Sequence, residues 1–142
     1  MITFQSQDIK FDLKEKRKTK NWLKSIALKK EFKMGDLNYI FMSDEELLKI
    51  NQQYLNHDTY TDIITFDNSE DEGCIHGDIF ISIDRVTENA ENFKTEFETE
   101  LRRVLAHGLL HLCGYKDKSE KEAELMRGME ENALENWKRT FA

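Results

Sequence analysis

The residues that could do chemistry in this chain lie close together, between Val104 and Asp117, in the run Val-Leu-Ala-His-Gly-Leu-Leu-His-Leu-Cys-Gly-Tyr-Lys-Asp. His107 and His111 are four apart, so on a helix they stand one above the other on the same face, with Cβ atoms roughly 5–6 Å apart. Two imidazoles at that spacing can reach one metal ion. Gly114 follows three residues after His111, and glycine tolerates the positive φ that ends a helix and turns the chain back. That turn carries the Asp117 carboxylate towards the same ion. His107, His111 and Asp117 thus offer three ligands, and three protein ligands with one open position is the form of a catalytic zinc site. The chemistry expected is metal-dependent hydrolysis with one divalent transition metal, zinc first. A His pair at this spacing also occurs on ordinary helices. Here Leu101, Val104, Leu105, Leu109, Leu110 and Leu112 make the helix apolar on most sides and predict its burial. Imidazoles held in such a helix need partners for their ring nitrogens, which a metal would supply. Cys113 should point to another face and is read as a small buried apolar residue.

The elements that must position these residues follow from patterning. Ile2 to Gln5 reads as an edge strand. Asp12 to about Phe32 reads as an amphipathic helix with a Lys-rich outer face, stopped by Gly35-Asp36. Leu37 to Met42 is a strand. Ser43, followed by Asp44, Glu45 and Glu46, starts a second helix that runs to about Tyr54. Asp62 to Asp67 and Gly77 to Ile83 are β-branched and aromatic strands expected to pair as a hairpin. Asp84 is expected to cap a helical stretch that breaks near Thr95 before the ligand helix. Ser119 with Glu122 forms a capping box that opens a final helix through Trp137. The order β-α-β-α-β-β-α-α-α predicts an α+β fold: one mixed sheet of about four strands packed with about five helices, the metal site on a central buried helix, in a single domain over residues 1–142.

Composition narrows the class. The length suits one hydrophobic core. No apolar run reaches 18 residues, so no membrane span is expected, and the N-terminus lacks the basic-then-apolar layout of a signal peptide. Two cysteines, Cys74 and Cys113, do not make a disulfide framework, and a reducing cytoplasm is the expected location. The net charge of −7 is unevenly spread: residues 1 to 34 carry +6 and the remainder −13. A basic first helix on an acidic body could face a polyanion, or could be an ordinary solvated face.

Three blocks in this order resemble the YbeY family of bacterial endoribonucleases. The first is Ile50-Asn51-x2-Tyr54-x3-Asp58-x2-Thr61-Asp62-Ile63-Ile64-Thr65-Phe66. The second is Gly77-Asp78-Ile79-Phe80-Ile81-Ser82, and the third is His107-Gly-Leu-Leu-His111-Leu-Cys-Gly114-Tyr115. The resemblance implies a single-strand-specific, metal-dependent endoribonuclease of rRNA maturation, at the 3′ end of 16S rRNA, and of ribosome quality control. Its partners would be single-stranded RNA and the ribosome or its small subunit. Two departures stand out. The family's usual third ligand is a histidine, and the aligned residue here is Asp117, preceded by Lys116. The family usually has an arginine where this chain has Leu55, which leaves open the group that handles phosphate charge; Lys116 or a residue of the basic first helix could stand in. Thr61, Asp62 and Thr65 could line the cleft beside the metal or satisfy backbone groups at a strand end; Thr65 and Lys116 are the candidate substrate contacts. Asp78 could serve either purpose, while His57 and His76 read as surface residues.

Two other functions fit parts of the pattern. Zinc peptidases use His-Glu-x-x-His, with the glutamate as general base; this chain has Gly108 there. Alternatively the metal is structural and the protein is a ribosome-associated assembly factor with little catalysis of its own.

Overall fold

A computed structural model describes residues 1–141; Ala142, the last residue of the expected domain, lies outside the described residues. The strands are β1 (Ile2–Ser6), β2 (Lys33–Met42), β3 (Ile63–Asp67) and β4 (Cys74–Ser82). The helices are α1 (Lys16–Lys29), α2 (Asp44–Leu55), α3 (Ile83–Asn92), α4 (Phe97–Leu112) and α5 (Glu120–Asn136), with a π-helical turn over Trp137–Phe141. The element order and the α+β class are those read from the sequence. The sheet runs β1-β2-β4-β3, with β1, β2 and β4 parallel and β3 antiparallel to β4 as the expected hairpin.

The period-2 pattern of the strands separates two apolar layers. Leu37, Tyr39 and Phe41 of β2, with Ile79 and Ile81 of β4, join the main core beneath α1, α4 and α5. The alternate residues Ile40 and Met42 meet Ile64 and Leu47 in a smaller cluster under α2. In the main core Trp22 is fully buried, donates its indole N–H to the Ala133 carbonyl at 2.8 Å and meets Trp137 edge to face. The buried Tyr39 hydroxyl donates to the Leu105 carbonyl at 2.8 Å, tying β2 to the centre of α4.

Gly108 is what lets α4 lie this close to the sheet. A Cβ there would come within 2.9 Å of Ile63 Cδ1 and 3.0 Å of Ile79 Cδ1. Position 108 therefore faces β3 and β4, away from the cleft, and no side chain placed there could serve as a general base. The peptidase reading fails on this packing.

Three local expectations are corrected. The basic helix begins at Lys16, where Asp12 instead receives the Lys16 ammonium at 2.8 Å. It ends before Glu31, whose φ of 63° provides the left-handed turn; Glu31 N–H bonds Leu28 O and Phe32 N–H bonds Ala27 O. This is a Schellman ending built on a non-glycine residue, so the glycine signal pointed too far along the chain. Gly35 and Asp36 belong to β2, at an irregularity between Met34 and Leu37. The cap of α3 is Ser82, whose Oγ accepts the Arg85 N–H at 3.0 Å. Asp84 sits in the first turn and accepts the Asp44 N–H at 2.9 Å, joining α3 to the start of α2.

Candidate metal centre

Two of the three candidate ligands ride on α4, and the third is placed by two helix caps. Gly114 has φ of 98°. Its N–H bonds His111 O at 2.9 Å and Tyr115 N–H bonds Leu110 O at 3.1 Å, the two bonds of a Schellman motif. At the other end of the loop Ser119 and Glu122 form the expected capping box of α5. Asp117 hangs between these fixed ends.

The result is convergence. His107 Nε2 lies 3.3 Å, and His111 Nε2 3.5 Å, from the same oxygen, Asp117 Oδ2. The rings stand 4.6 Å apart, nearly perpendicular, and one ligand atom from each of the three residues falls within 4.8 Å of the others. Ligands 2.0–2.1 Å from a tetrahedral ion lie about 3.3–3.4 Å from each other. The donor set and its spacing therefore fit a divalent transition metal, and among the described residues this is the group of His, Cys and acidic side chains that could hold one. Cys113 takes no part: it packs against the core, where burial pushes its thiol up to about 11.

The remaining nitrogen of His107 has a partner the sequence did not reveal. Nδ1 lies 2.7 Å from Glu130 Oε2, on α5. The other oxygen of Glu130 meets Arg103 at 3.2 Å, and Arg103 Nε lies 3.3 Å from Glu100. Glu100, Arg103, His107 and His111 form one polar stripe, at offsets 3, 4 and 4, on a helix otherwise apolar; that spacing was readable. Glu130 left no such trace, because it sits in a helix rich in glutamate and only packing buries it.

Two cavities flank the triad. On the His107 side, about 290 Å³ is lined by Asp62, Glu100, Asp117 and Glu130, with Arg103 as the cation. On the His111 side, about 450 Å³ is lined by Thr65, Leu55, Tyr60, His57 and Lys118, among others, with no carboxylate. Thr65 thus lies beside His111, and Asp62 beside His107. Lys116 is exposed and belongs to neither lining, whereas Lys118, two residues on, does. Asp78 is a sheet residue, accepting from the Asn38 and Asn68 amides at 2.9 and 3.1 Å. His57 is exposed, and half-buried His76 accepts the Asp36 N–H at 3.0 Å. The N-terminal end of α1 shares a groove with the start of α4, through Glu15, Glu96 and Thr99. Its C-terminal end comes near the site instead, with Lys30 Nζ 5.1 Å from the Tyr115 ring. Lys16, Arg17 and Lys20 are therefore at the end of α1 remote from His111.

Burial sets the proton balance. It raises Asp62 above the usual carboxylate range, against the pull of nearby His107, and raises Glu100 against its neighbour Arg103. Burial alone would lower His107, but the hydrogen bond and charge of Glu130, with Asp117 and Asp62, raise it overall. All three groups hold protons more tightly folded than unfolded, while Glu122, held down by the Ser119 cap, opposes them only at acid pH. The stability these three give the metal-free protein should fall as pH rises, first above the ordinary carboxylate values of 3.8 and 4.5, then again above 6.5 through the raised His107 value. Denaturant unfolding of chelator-treated protein at pH 5 and pH 8 checks this; an equal or higher midpoint at pH 8 contradicts it.

An α+β scaffold whose central helix and following turn bring two imidazoles and a carboxylate to one point defines a protein with a side-chain group that could hold a metal ion. Residues 1–138 match the family model described as Endoribonuclease YbeY. The chain is 54% identical over 133 residues to the Endoribonuclease YbeY of Cytophaga hutchinsonii, covering 94% of this chain and 93% of that one. It is 48% identical to that of Bacteroides fragilis, covering 94% and 95%. The solution structure of TM1509 from Thermotoga maritima superposes with a TM-score of 0.66 at 31% identity, covering 97% of this chain and 92% of that one. The chain belongs to the YbeY family of endoribonucleases. No helix among the described residues is long and apolar enough to cross a membrane.

Proposed function

We propose that this protein is a metal-dependent endoribonuclease that cuts single-stranded RNA during rRNA maturation, with His107, His111 and Asp117 holding one ion, zinc by preference. Family membership carries the hydrolysis of RNA. The observation that carries the metal is the meeting of both Nε2 atoms on one Asp117 oxygen at 3.3 and 3.5 Å. Once bound, the ion would supply an activated water near neutral pH and polarise a phosphoryl oxygen.

The two flanking cavities differ in what they can accept. Four carboxylates on the His107 side repel a phosphate, and the His111 side has none. RNA is therefore assigned to the His111 side, with Thr65 and Lys118 as its polar contacts. Leu55 also opens onto that side, so the residue standing where the family usually has arginine brings no charge there, and Lys118 is the cation within reach. Lys116, on the same loop, remains a candidate contact for a longer strand. The volume of this side lies within the usual range for ligand pockets, and an unpaired strand can bend into it where an A-form duplex cannot. The ribosomal small subunit, near the 3′ end of 16S rRNA, and the cytoplasm are the setting this reading assigns. An assembly role with a structural metal would leave the open coordination position without a use.

The test is cleavage of one RNA hairpin by metal-loaded protein. Cuts should fall in the loop and be scarce in the stem. Equal rates in both would overturn the single-strand assignment, and no cleavage by fully metallated protein would favour the assembly role.

A further inference from the structure

We propose that Glu130 is the positioning residue for the metal ligand His107, and that Arg103 holds Glu130 in that role; this rests on the metal reading of the triad. Glu130 lies on α5, 23 residues beyond His107, with its side chain 10% exposed. Its Oε2 is 2.7 Å from His107 Nδ1. With Arg103 donating to its other oxygen, Glu130 is placed to accept from His107, which then donates from Nδ1, and in the neutral ring Nε2 carries the lone pair. Nε2 is the atom that faces Asp117 Oδ2 at 3.3 Å. At that separation a proton on Nε2 joins the pair when metal is absent, and a bound cation would take the proton's place. Glu130 thereby selects the tautomer and ring orientation that make His107 a ligand, as carboxylates paired with metal-bound histidines do in general.

Arg103 completes the device. Its Nη1 occupies the other Glu130 oxygen at 3.2 Å, which keeps the carboxylate from turning away from the imidazole. Its Nε lies 3.3 Å from Glu100 Oε1, a buried atom with no hydrogen bond of its own. Arg103 is thus clamped between two buried carboxylates, and the docking of α5 on α4 is transmitted to the His107 ring. Glu130 touches no reacting atom.

Glu130→Gln keeps the volume but replaces a charged acceptor with a neutral one. Zn2+ affinity is measured by competition with a chromophoric chelator, and the His107 tautomer by nitrogen-15 NMR of metal-free protein. Zn2+ affinity should fall by about 10- to 100-fold in Glu130→Gln, and the exposed neighbour variant Glu131→Gln should bind as the parent does. The parent should show His107 with its neutral-form proton on Nδ1, and Glu130→Gln should move it towards Nε2. Affinity of Glu130→Gln within about twofold of the parent overturns the proposal, since a merely structural glutamate would alter melting and not binding. Should Glu130→Gln fail to fold, the parent spectrum decides: an Nε2 proton on neutral His107 overturns the proposal, and an Nδ1 proton upholds it. A parent that takes up no Zn2+ but shows the Nδ1 proton would sink the metal reading and leave the Glu130–His107 pairing standing.

Discussion

Alanine at His107, His111 or Asp117 should remove metal and RNA cleavage together. An ion held by these three side chains would supply an activated water and a counter-charge for the phosphoryl group, and both would go with it. Loss of even one preorganised stabilising group at a transition state is worth about 100- to 1,000-fold in rate, and loss of the metal should be at least that large. The histidine variants should suffer most, because both imidazoles are half-buried on a rigid helix, whereas the Asp117 side chain is 40% exposed on a loop. Metal analysis after dialysis and cleavage of a defined RNA check this. The same variants should lose the stabilisation that metal gives the parent, about 2.7 kcal/mol at 100 times Kd, read as a rise in melting temperature. A full equivalent of metal in all three variants would show the ligand set to be wrong. Asp117→His keeps a ligand on the same turn and removes one negative charge from the site. The rising limb of the activity–pH profile should then move to lower pH, since less negative charge favours the deprotonated water.

Gly108→Glu, which would recreate the His-Glu-x-x-His spacing of zinc peptidases, should abolish folding and confer no peptidase activity. The glutamate would enter the contact between α4 and the sheet, where even a Cβ meets Ile63 and Ile79 at 2.9 and 3.0 Å. Overpacking of this kind costs about 1–3 kcal/mol, and an unpaired buried carboxylate adds several more. Together these approach the whole stability of a typical domain, about 5–15 kcal/mol. Gly108→Ala should be milder, because the two nearest atoms it meets are the Cδ1 ends of Ile63 and Ile79, with the less yielding Ile79 Cγ2 at 3.1 Å, and alanine gains about 1 kcal/mol of helix propensity. Soluble yield, circular dichroism and thermal melts separate the cases. A folded Gly108→Glu protein melting with the parent would mean that α4 does not face the sheet at this position.

The contrast between Asp117 and Glu130 shows what was legible before folding. His107, His111, Gly114, Asp117, Ser119 and Glu122 lie within 16 residues, and their geometry is local: helical spacing, a left-handed glycine, a capping box. Each is a short-range preference that holds wherever the segment sits, so the convergence of the three side chains could be read from residue types and intervals. The alternation along β2 and β4 and the hairpin of β3 with β4 were legible for the same reason. The stop of α1 was misjudged where the chain used Glu31, an unusual residue for a left-handed turn, in place of glycine.

Other features depend on which surfaces meet. Gly108 carries no mark in the sequence of facing two isoleucines from β3 and β4. Glu130 is one of many glutamates in α5 until that helix docks on α4 and brings it within 2.7 Å of His107. The difference in charge between the two flanking cavities, which points RNA to the Lys118 side, sums residues from β3, α2, α3, α4, α5 and their loops. Sequence alone determined the fold class and the three converging donors, because spacing along one helix and one turn suffices for them. Tertiary packing decided the partner of His107, the closed face at Gly108 and the polarity of the cleft, because burial and long-range contact are properties of the assembled chain and of no segment within it.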